Sequence, residues 1–387
     1  MKKVALLFAV ASFVLSGCKK SNSEPKSDPA GPKIVEMMDS LGWFRESACP
    51  ENLELASYTV ETDTAIKLEF YGWAIDKDRR FELQMPTEGS YRRVLMEYKM
   101  CAWNEGCSDW DMVTEIWVKN PADGEWYELQ RAITPYGRSF KAGWEKNFYM
   151  DVTHLLPILM QQQTAEFKIY YGGFDASATR AHAVKLKFYF FEGENQYGKP
   201  IYSAKVYDSF TSGNNGYRAW AYGIDTASIE DDARLGHREI QLPPGTKKAL
   251  LRVCITGHGQ ELTTSEETQG HPYQGYFPGR TFPVRNPAEF DKNWYTVVYN
   301  REEMPERGFI WEINSDNYSQ AGNCKYDRAG WGPGKPANTH YWWLNEIPAD
   351  GRITLDLNLD EYVSNCTAPN AAYVANYYVM ADIFAFE

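Results

Sequence analysis

The chain has 387 residues, and its 52 acidic residues outnumber the 40 basic ones, which gives a formal net charge of -12 at pH 7. An acidic chain repels polyanions, so this balance argues against nucleic acid or an anionic membrane surface as the main partner. The length exceeds that of one typical domain, and we therefore expect two domains.

The first 17 residues have the features of an export signal. Lys2 and Lys3 precede a short apolar run that ends in Leu-Ser-Gly before Cys18. The run is too short for a membrane-spanning helix, and its ending resembles bacterial lipoprotein signals, in which the cysteine carries the lipid. We therefore expect residues 1–17 to be removed and a lipid on Cys18 to be the only membrane attachment. The expected location is the outer membrane of a Gram-negative bacterium, on its periplasmic face or at the cell surface.

The next segment is rich in Ser, Pro, Lys and Gly. Such a composition cannot bury enough apolar surface to fold, so residues 18–33 are predicted to be a flexible tether. Residues 34–60 form a short N-terminal segment to which the sequence assigns no role.

Beyond the tether, the pattern is that of β-strands. Apolar and polar residues alternate in short stretches that are separated by Gly, Pro, Asn and Asp, as at residues 184–190 and 353–359. This pattern is typical of antiparallel sheets with one buried face. The best helix candidate is residues 154–163. We predict an all-β chain of two β-sandwiches, with domains at residues 61–195 and 196–387 that meet at a polar, turn-forming segment.

The most informative block is residues 101–111, which read Cys-Ala-Trp-Asn-Glu-Gly-Cys-Ser-Asp-Trp-Asp. An exported chain permits disulfides, and Cys101 and Cys107 flank a turn-forming sequence, so we predict a bond between them. A cross-linked loop ahead of Trp110 and Asp111 is suited to holding an acid in a sugar-sized pocket. The alternative is a stapled turn with an exposed acidic rim.

Common catalytic signatures are missing from the sequence. It has no zinc-binding His-Glu-x-x-His helix, no phosphate-binding glycine loop and no Gly-x-Ser-x-Gly elbow. His258, His271 and His340 are the one histidine set considered as a metal site, but no pair has ligand spacing on one element, so we expect no metal. Carboxylates and abundant aromatic residues remain, and these accept hydrogen bonds from sugar hydroxyls and stack on sugar faces.

Several motifs, in the same order, resemble the peptide:N-glycosidase F family of bacterial amidases, which remove N-linked glycans from asparagine. The matching segments are the 101–111 block, Val118-Lys119-Asn120, residues 124–128, residues 133–136, residues 240–243, Leu251-Arg252, Ala288-Glu289 and residues 327–331. The resemblance implies two adjacent eight-stranded antiparallel jelly-roll β-sandwiches. It also implies a monomer without cofactor that acts on N-glycosylated proteins or glycopeptides.

The resemblance implies an active site in the cleft between the two domains. Asp111 corresponds to the primary catalytic carboxylate of the family, and Glu289 corresponds to the second. The implied substrate contacts are Trp110, Phe174, His258, Arg328 and Trp331.

Other positions depart from the family pattern. Met112 replaces an arginine, Gly172 replaces an acidic residue that binds sugar, and Phe174 replaces a tryptophan. A Gly-Trp-Gly-His segment corresponds to residues 257–260 here, and Pro287 and Asp291 replace two cysteines. These changes fall mainly on sugar contacts, and they leave open a non-catalytic glycan-binding surface lipoprotein of the same fold. A third possibility, a copper monooxygenase with paired jelly rolls, lacks clustered histidine ligands.

Overall fold

The structure is a computed structural model, and the residues it describes are 33–34, 43–45, 52–69, 78–195, 197–208, 235–258, 274–275, 284–285, 293–310, 328–359, 363–364 and 376–387. The predicted signal peptide and lipidated Cys18 lie outside these residues. Below, residues 52–195 are called the N-terminal half and residues 197–387 the C-terminal half.

The described elements are almost all β-strands. They are β1 (Lys33–Ile34), β2 (Trp43–Arg45), β3 (Tyr58–Glu61), β4 (Ile66–Lys67), β5 (Arg79–Gln84), β6 (Tyr91–Asn104), β7 (Val113–Lys119), β8 (Trp126–Ile133), β9 (Glu145–Asp151), β10 (Thr164–Tyr171), β11 (Arg180–Glu192), β12 (Pro200–Asp208), β13 (Arg238–Gln241), β14 (Lys248–His258), β15 (Gln274–Gly275), β16 (Val284–Arg285), β17 (Asn293–Tyr299), β18 (Glu302–Ile310), β19 (Lys335–Pro336), β20 (Thr339–Leu344), β21 (Arg352–Leu359), β22 (Val363–Ser364) and β23 (Asn376–Phe386). The predicted all-β class is confirmed.

Helical structure is short. Where the sequence pattern predicts a helix over residues 154–163, the α-helix α1 spans only Leu156–Leu159, after a 3-10 turn at Thr153–Leu155. The predicted helix was too long, because residues 160–163 form an irregular turn between α1 and β10. Further 3-10 turns lie at Leu53–Leu55 and Gly137–Ser139. Within the described residues, no helix is long and apolar enough to span a membrane.

The described strands pair into five sheets. The N-terminal half contributes most of a six-stranded sheet, β2-β9-β6-β11-β3 with β4 on β11, and most of a five-stranded sheet, β19-β8-β7-β10-β5. The C-terminal half contributes β12-β23-β14-β20, most of β1-β18-β17-β21-β13, and the small sheet β15-β16-β22. Pairing is antiparallel except at β1/β18 and β16/β22. The count of eight strands per sandwich stays a prediction.

Two large buried clusters, each lying mainly in one half, are built by the alternation of side chains along the strands. In the N-terminal half, Ile116 and Val118 of β7 pack in one buried cluster with Met96 of β6 and Phe188 of β11. Burial of each such side chain stabilises the fold by about 1.5–3 kcal/mol. The corresponding cluster of the C-terminal half contains alternate residues of β14, β17, β21 and β23.

Strands β7 and β14 also contact each other between the halves, through the faces that point away from the two main clusters. Val113 and Trp117 of β7 cluster with Cys254 of β14 and Met380 of β23, and all four side chains are buried. The sheet containing β7 therefore packs against the core of its own half on one face and against the C-terminal half on the other. Strand β19 adds to this contact, because its two residues pair with the end of β8.

Candidate functional site

The ends of three neighbouring strands bring the predicted N-terminal site residues together. Strand β7 lies between β8 and β10 and is antiparallel to both. The start of β7 therefore lies at the same edge of the sheet as the ends of β8 and β10. Residues 110–112, 134–136 and 172–175 meet at this edge, where the backbone N–H of Gly172 donates to Val113 O at 2.9 Å.

Thr134 holds the backbone on both sides of Asp111. Its Oγ1 accepts a hydrogen bond from the backbone N–H of Met112 at 2.8 Å and donates one to Trp110 O at 3.2 Å. Its own N–H donates to Met112 O at 2.9 Å. The half-buried Asp111 thus sits between two fixed peptide groups.

Asp175 fixes the preceding residue. Its Oδ2 accepts from the backbone N–H of Trp110 at 2.9 Å, and its Oδ1 accepts from the hydroxyl of Tyr171 at 2.9 Å. Phe174, next to Asp175, has 68% of its surface exposed, and Trp110 has 54%. Exposed aromatic rings beside a carboxylate are suited to a ligand that has both apolar faces and hydroxyl groups.

The C-terminal half reaches this edge through Arg328. The buried guanidinium donates from Nη2 to the hydroxyl of Tyr136 at 3.4 Å and lies 5.3 Å from the ring centre of Trp331. The Tyr136 ring in turn lies 6.5 Å from that of Trp110, in edge-to-face geometry. A continuous series of contacts therefore links the motif around Asp111 to the C-terminal half.

Trp331 extends this series to the end of β14. Its Nε1 donates to Gly257 O at 2.8 Å, and the ring of His258 lies nearly parallel to its indole, with centroids 5.8 Å apart at 14°. The loop that carries Arg328 and Trp331 is held against β14 by a hydrogen bond from the Gly257 N–H to Ala329 O at 2.9 Å.

A cluster of buried charges lies behind the site. Arg131 of β8 pairs with Glu115 at 3.1 Å and with Glu128 at 2.9 Å, and all three side chains are fully buried. Burial raises the pKa of Glu115 well above its usual range, and Arg131 opposes this shift. Arg252 pairs with Asp382 at 3.3 Å, and burial raises the pKa of Asp382 to about 7. These charges need one another, because an unpaired buried charge is strongly destabilising.

The predicted Cys101–Cys107 disulfide is not formed in the structure, where both residues are free thiols. Cys101 lies in β6 and its thiol donates to Ala183 O at 3.5 Å, whereas the backbone N–H of Cys107 donates to Phe140 O at 3.3 Å. Burial and the nearby Cys101 raise the pKa of Cys107 to about 12. The bond stays a prediction for an oxidising environment.

Asp109 has a role different from that of Asp111. It forms an ion pair with Arg138 at 2.9 Å, and the Arg138 side chain is 74% exposed. The interpretation of the block as an exposed acidic rim therefore fits Asp109.

The structure brings together Trp110, Asp111, His258, Arg328 and Trp331, with Phe174 on the adjoining loop. Glu289 lies outside the described residues, as do His271, Pro287 and Asp291. Within the described segments, no group of three or more His, Cys, Asp or Glu residues could hold a metal ion. The nitrogen Nδ1 of His340 is hydrogen-bonded to the hydroxyl of Tyr295 at 2.8 Å.

Sequence reasoning missed three supporting residues, Thr134, Tyr136 and Asp175. Thr134 and Tyr136 belong to one of the matching motifs, and that match was the available signal. Asp175 had none.

Comparisons with known proteins agree with the motif resemblance. The chain is 25% identical over 386 residues to peptide-N(4)-(N-acetyl-beta-D-glucosaminyl)asparagine amidase F of Elizabethkingia miricola, covering 98% of this chain and 96% of the relative. No family model matches. The resemblance to peptide:N-glycosidase F is confirmed.

Solved structures show the same fold. A crystal structure of a peptide-N(4)-(N-acetyl-beta-D-glucosaminyl)asparagine amidase matches with a TM-score of 0.63 at 24% identity, covering 85% of this chain and 95% of the other. PNGase F from Flavobacterium meningosepticum matches with a TM-score of 0.63 at 23% identity, covering 85% and 96%. PNGF-II matches with a TM-score of 0.55 at 14% identity, covering 85% and 65%.

Proposed function

We propose that the chain is an amidase that hydrolyses the bond between asparagine and the innermost GlcNAc of N-glycans on glycoproteins or glycopeptides. The observation that carries this proposal is the series of contacts from Trp110 through Tyr136 and Arg328 to Trp331. It joins the retained Asp111 motif to the retained arginine motif across the two halves. Similarity to an amidase of this specificity over 98% of the chain supports it.

The reaction requires a water to attack the side-chain carbonyl carbon of the glycosylated asparagine. In our proposal, Asp111 accepts a hydrogen bond from this water and takes its proton as the carbon–oxygen bond forms. The carbon–nitrogen bond then breaks, and the nitrogen leaves on the sugar after gaining a proton. The asparagine becomes an aspartate. Asp111 is the primary catalytic carboxylate and Glu289 its partner through the water.

Arg328 would supply the positive charge of the site. A guanidinium can stabilise the negative charge that develops on the carbonyl oxygen or orient a catalytic carboxylate. Because Arg328 is buried and bonded to Tyr136, its position is fixed before the substrate arrives. Trp110, Phe174, Trp331 and His258 would contact the sugar. The reaction needs no metal or organic cofactor.

We also propose a cell location for the enzyme. It would act as a monomer, tethered by residues 18–33 to a lipid on Cys18 at the outer membrane. Its substrates would be glycoproteins or glycopeptides on the periplasmic face of that membrane or at the cell surface.

A direct test is to incubate the chain lacking residues 1–18 with a denatured N-glycoprotein and to analyse the peptides by mass spectrometry. We expect the glycosylated asparagine to be converted to aspartate. Asp111→Asn should abolish this conversion while keeping the melting temperature of the parent chain. Release that leaves one GlcNAc on asparagine would identify an endoglycosidase and contradict the proposal.

A second candidate is a glycan-binding surface lipoprotein without activity. The observation that favours it is the replacement of the family arginine by Met112, which packs against the N-terminal core. Binding of the glycoprotein by the parent chain without any conversion would favour this candidate. In that case, Trp110→Ala should weaken binding, because it removes an exposed ring.

A further inference from the structure

A hydrogen-bonded link crosses from the N-terminal half to His258. Strand β14 directs Arg252, Cys254, Thr256 and His258 to one face, since successive side chains of a strand alternate. Arg131 of β8 reaches that face, and its Nη1 donates to Thr256 Oγ1 at 2.7 Å and to Tyr378 O at 2.9 Å. Oγ1 of Thr256 lies 2.6 Å from Nε2 of His258.

Both ends of this link are held in place. The guanidinium of Arg131 is paired with Glu115 and Glu128, so its direction is set by fully buried groups. The ring of His258 packs against Tyr378, with centroids 4.4 Å apart, and lies parallel to Trp331.

The protons of this link can be assigned by counting donors and acceptors. Thr256 has no exposed surface, and its Oγ1 already accepts a hydrogen bond from Nη1 of Arg131. Its hydroxyl proton therefore needs an acceptor, and in the described part of the chain that acceptor is Nε2 of His258. A proton on Nε2 would leave the buried hydroxyl proton unsatisfied, which is costly. Nε2 is therefore the acceptor, and the ring proton lies on Nδ1.

The surroundings also keep the ring neutral. Burial, followed by the positive charge of Arg131, lowers the pKa of His258 well below its usual value. The carboxylates Glu115 and Glu128 on this side are paired with Arg131, and the cation Arg328 contacts Trp331, whose ring lies parallel to that of His258. The Nδ1–H group therefore persists from neutral to mildly acidic pH.

We propose that Arg131 and Thr256 are positioning residues that hold His258 as the Nδ1–H tautomer, so that it offers one fixed hydrogen-bond donor to a carbonyl or hydroxyl oxygen of an N-acetylated sugar. The nature of the ligand rests on the proposed function, whereas the tautomer does not. The imidazole of His258 would then stand where the family pattern has the indole of a tryptophan.

The tautomer can be measured without any substrate. In the mature chain labelled with 15N-histidine, two-bond proton–nitrogen correlations distinguish a protonated from an unprotonated ring nitrogen, and His258→Gln assigns the signals. We expect Nδ1 to be protonated and Nε2 unprotonated in the parent chain and in Thr256→Ser, which keeps the hydroxyl. Thr256→Val should shift the ring toward the other tautomer. A protonated Nε2 in the parent chain, or an unchanged tautomer in Thr256→Val, would overturn the assignment.

Kinetics test the contact with sugar. In Thr256→Val we expect KM for a glycopeptide to rise about tenfold with kcat within about twofold, because one hydrogen bond to bound substrate is weakened. Thr256→Ser should keep both constants, and equal melting temperatures would separate positioning from folding. A shifted tautomer with unchanged KM would overturn the proposed donor role.

A lack of cleavage by the parent chain would instead contradict the proposed function. Titration with N-acetylglucosamine then replaces KM as the readout. We expect Thr256→Val to weaken its binding, and equal binding by the parent chain and Thr256→Val would overturn the donor role in that case also.

Discussion

At the scale of single residues, the position of Asp111 depends on the hydroxyl of Thr134, which bonds to both neighbouring residues. Thr134→Val keeps the shape of the side chain but leaves the Met112 N–H without its acceptor. We expect the free energy of unfolding to fall by about 1–3 kcal/mol. Displacement of Asp111 should lower kcat by about tenfold to hundredfold, since misplacement of about 1 Å can cost that much.

Thr134→Ser is the matched control, because it keeps the hydroxyl and loses only a methyl group. It should retain most of the activity. Urea unfolding and deglycosylation kinetics, measured on the same preparations, give the two readouts. Full activity in Thr134→Val would show that the hydrogen bonds of the Thr134 hydroxyl to Trp110 and Met112 are not needed for the reaction.

Motifs predicted which residues enter the site but not what holds them there. Trp110, Asp111, Arg328 and Trp331 were found because short motifs carry them. The bond from Arg131 to Thr256 joins residues 125 positions apart, and that from Arg328 to Tyr136 joins residues 192 apart. Nothing local in the sequence reports such a pairing, since it follows from how the sheets pack.

At the scale of elements, the loop carrying Arg328 and Trp331 depends on Gly330. Its φ is 77°, and a Cβ on it would lie 2.2 Å from Ile255 O in β14. Gly330→Ala therefore adds a clash with backbone to the roughly 1–2 kcal/mol that a left-handed conformation costs an L-residue. We expect it to lower both the melting temperature and the activity, because the loop must move away from β14.

Gly124 provides a matched control for this change. It has the same φ of 77°, but nothing lies within 4 Å of a Cβ built on it. Gly124→Ala should show the cost of the conformation alone and leave the activity intact. Equal losses of stability in the two variants would mean that contact between the loop and β14 is not tight.

Strands were more predictable than the other elements. Alternation is a local property, so β11 and β21 lie where the sequence pattern indicates. The helix predicted over residues 154–163 was too long, since the periodicity of a short apolar run cannot distinguish a helix from other structure. The two-residue strand β19 has no pattern to detect, and it forms because the end of β8 offers a partner.

At the scale of the whole molecule, the contact between the two halves buries the uncharged side chain of His154. His154 precedes α1 in the N-terminal half, and its ring packs edge-on against Phe384 and Tyr341 of the C-terminal half, at 4.7 and 5.8 Å. Burial, and then the charge of Arg252, lower the pKa of His154 well below its usual value. The folded chain therefore keeps this ring neutral at pH values where the unfolded chain protonates it.

The resulting pH dependence has a definite sign. Below the unfolded pKa of about 6.5 the unfolded chain binds a proton that the folded chain does not, so stability falls as pH decreases. His182 and His340, whose pKa values burial lowers to about 3, act in the same direction. Asp382, with its pKa raised to about 7, opposes them, because the folded chain binds its proton first. The pH dependence of the whole chain's stability is the sum of these opposing contributions. The contribution of one histidine can therefore be measured only by mutating that histidine.

His154→Phe isolates one contribution, since it keeps an aromatic ring and removes the titrating group. Between pH 7.5 and 5, we expect the stability of this variant relative to the parent chain to increase by about 2 kcal/mol, at about 1.4 kcal/mol for each pH unit below 6.5. Urea unfolding at several pH values measures this, with His237→Gln as a control that removes a histidine whose side chain is 47% exposed. Curves of stability against pH that run parallel for His154→Phe and the parent chain would show that His154 is not kept neutral by the packing of the halves.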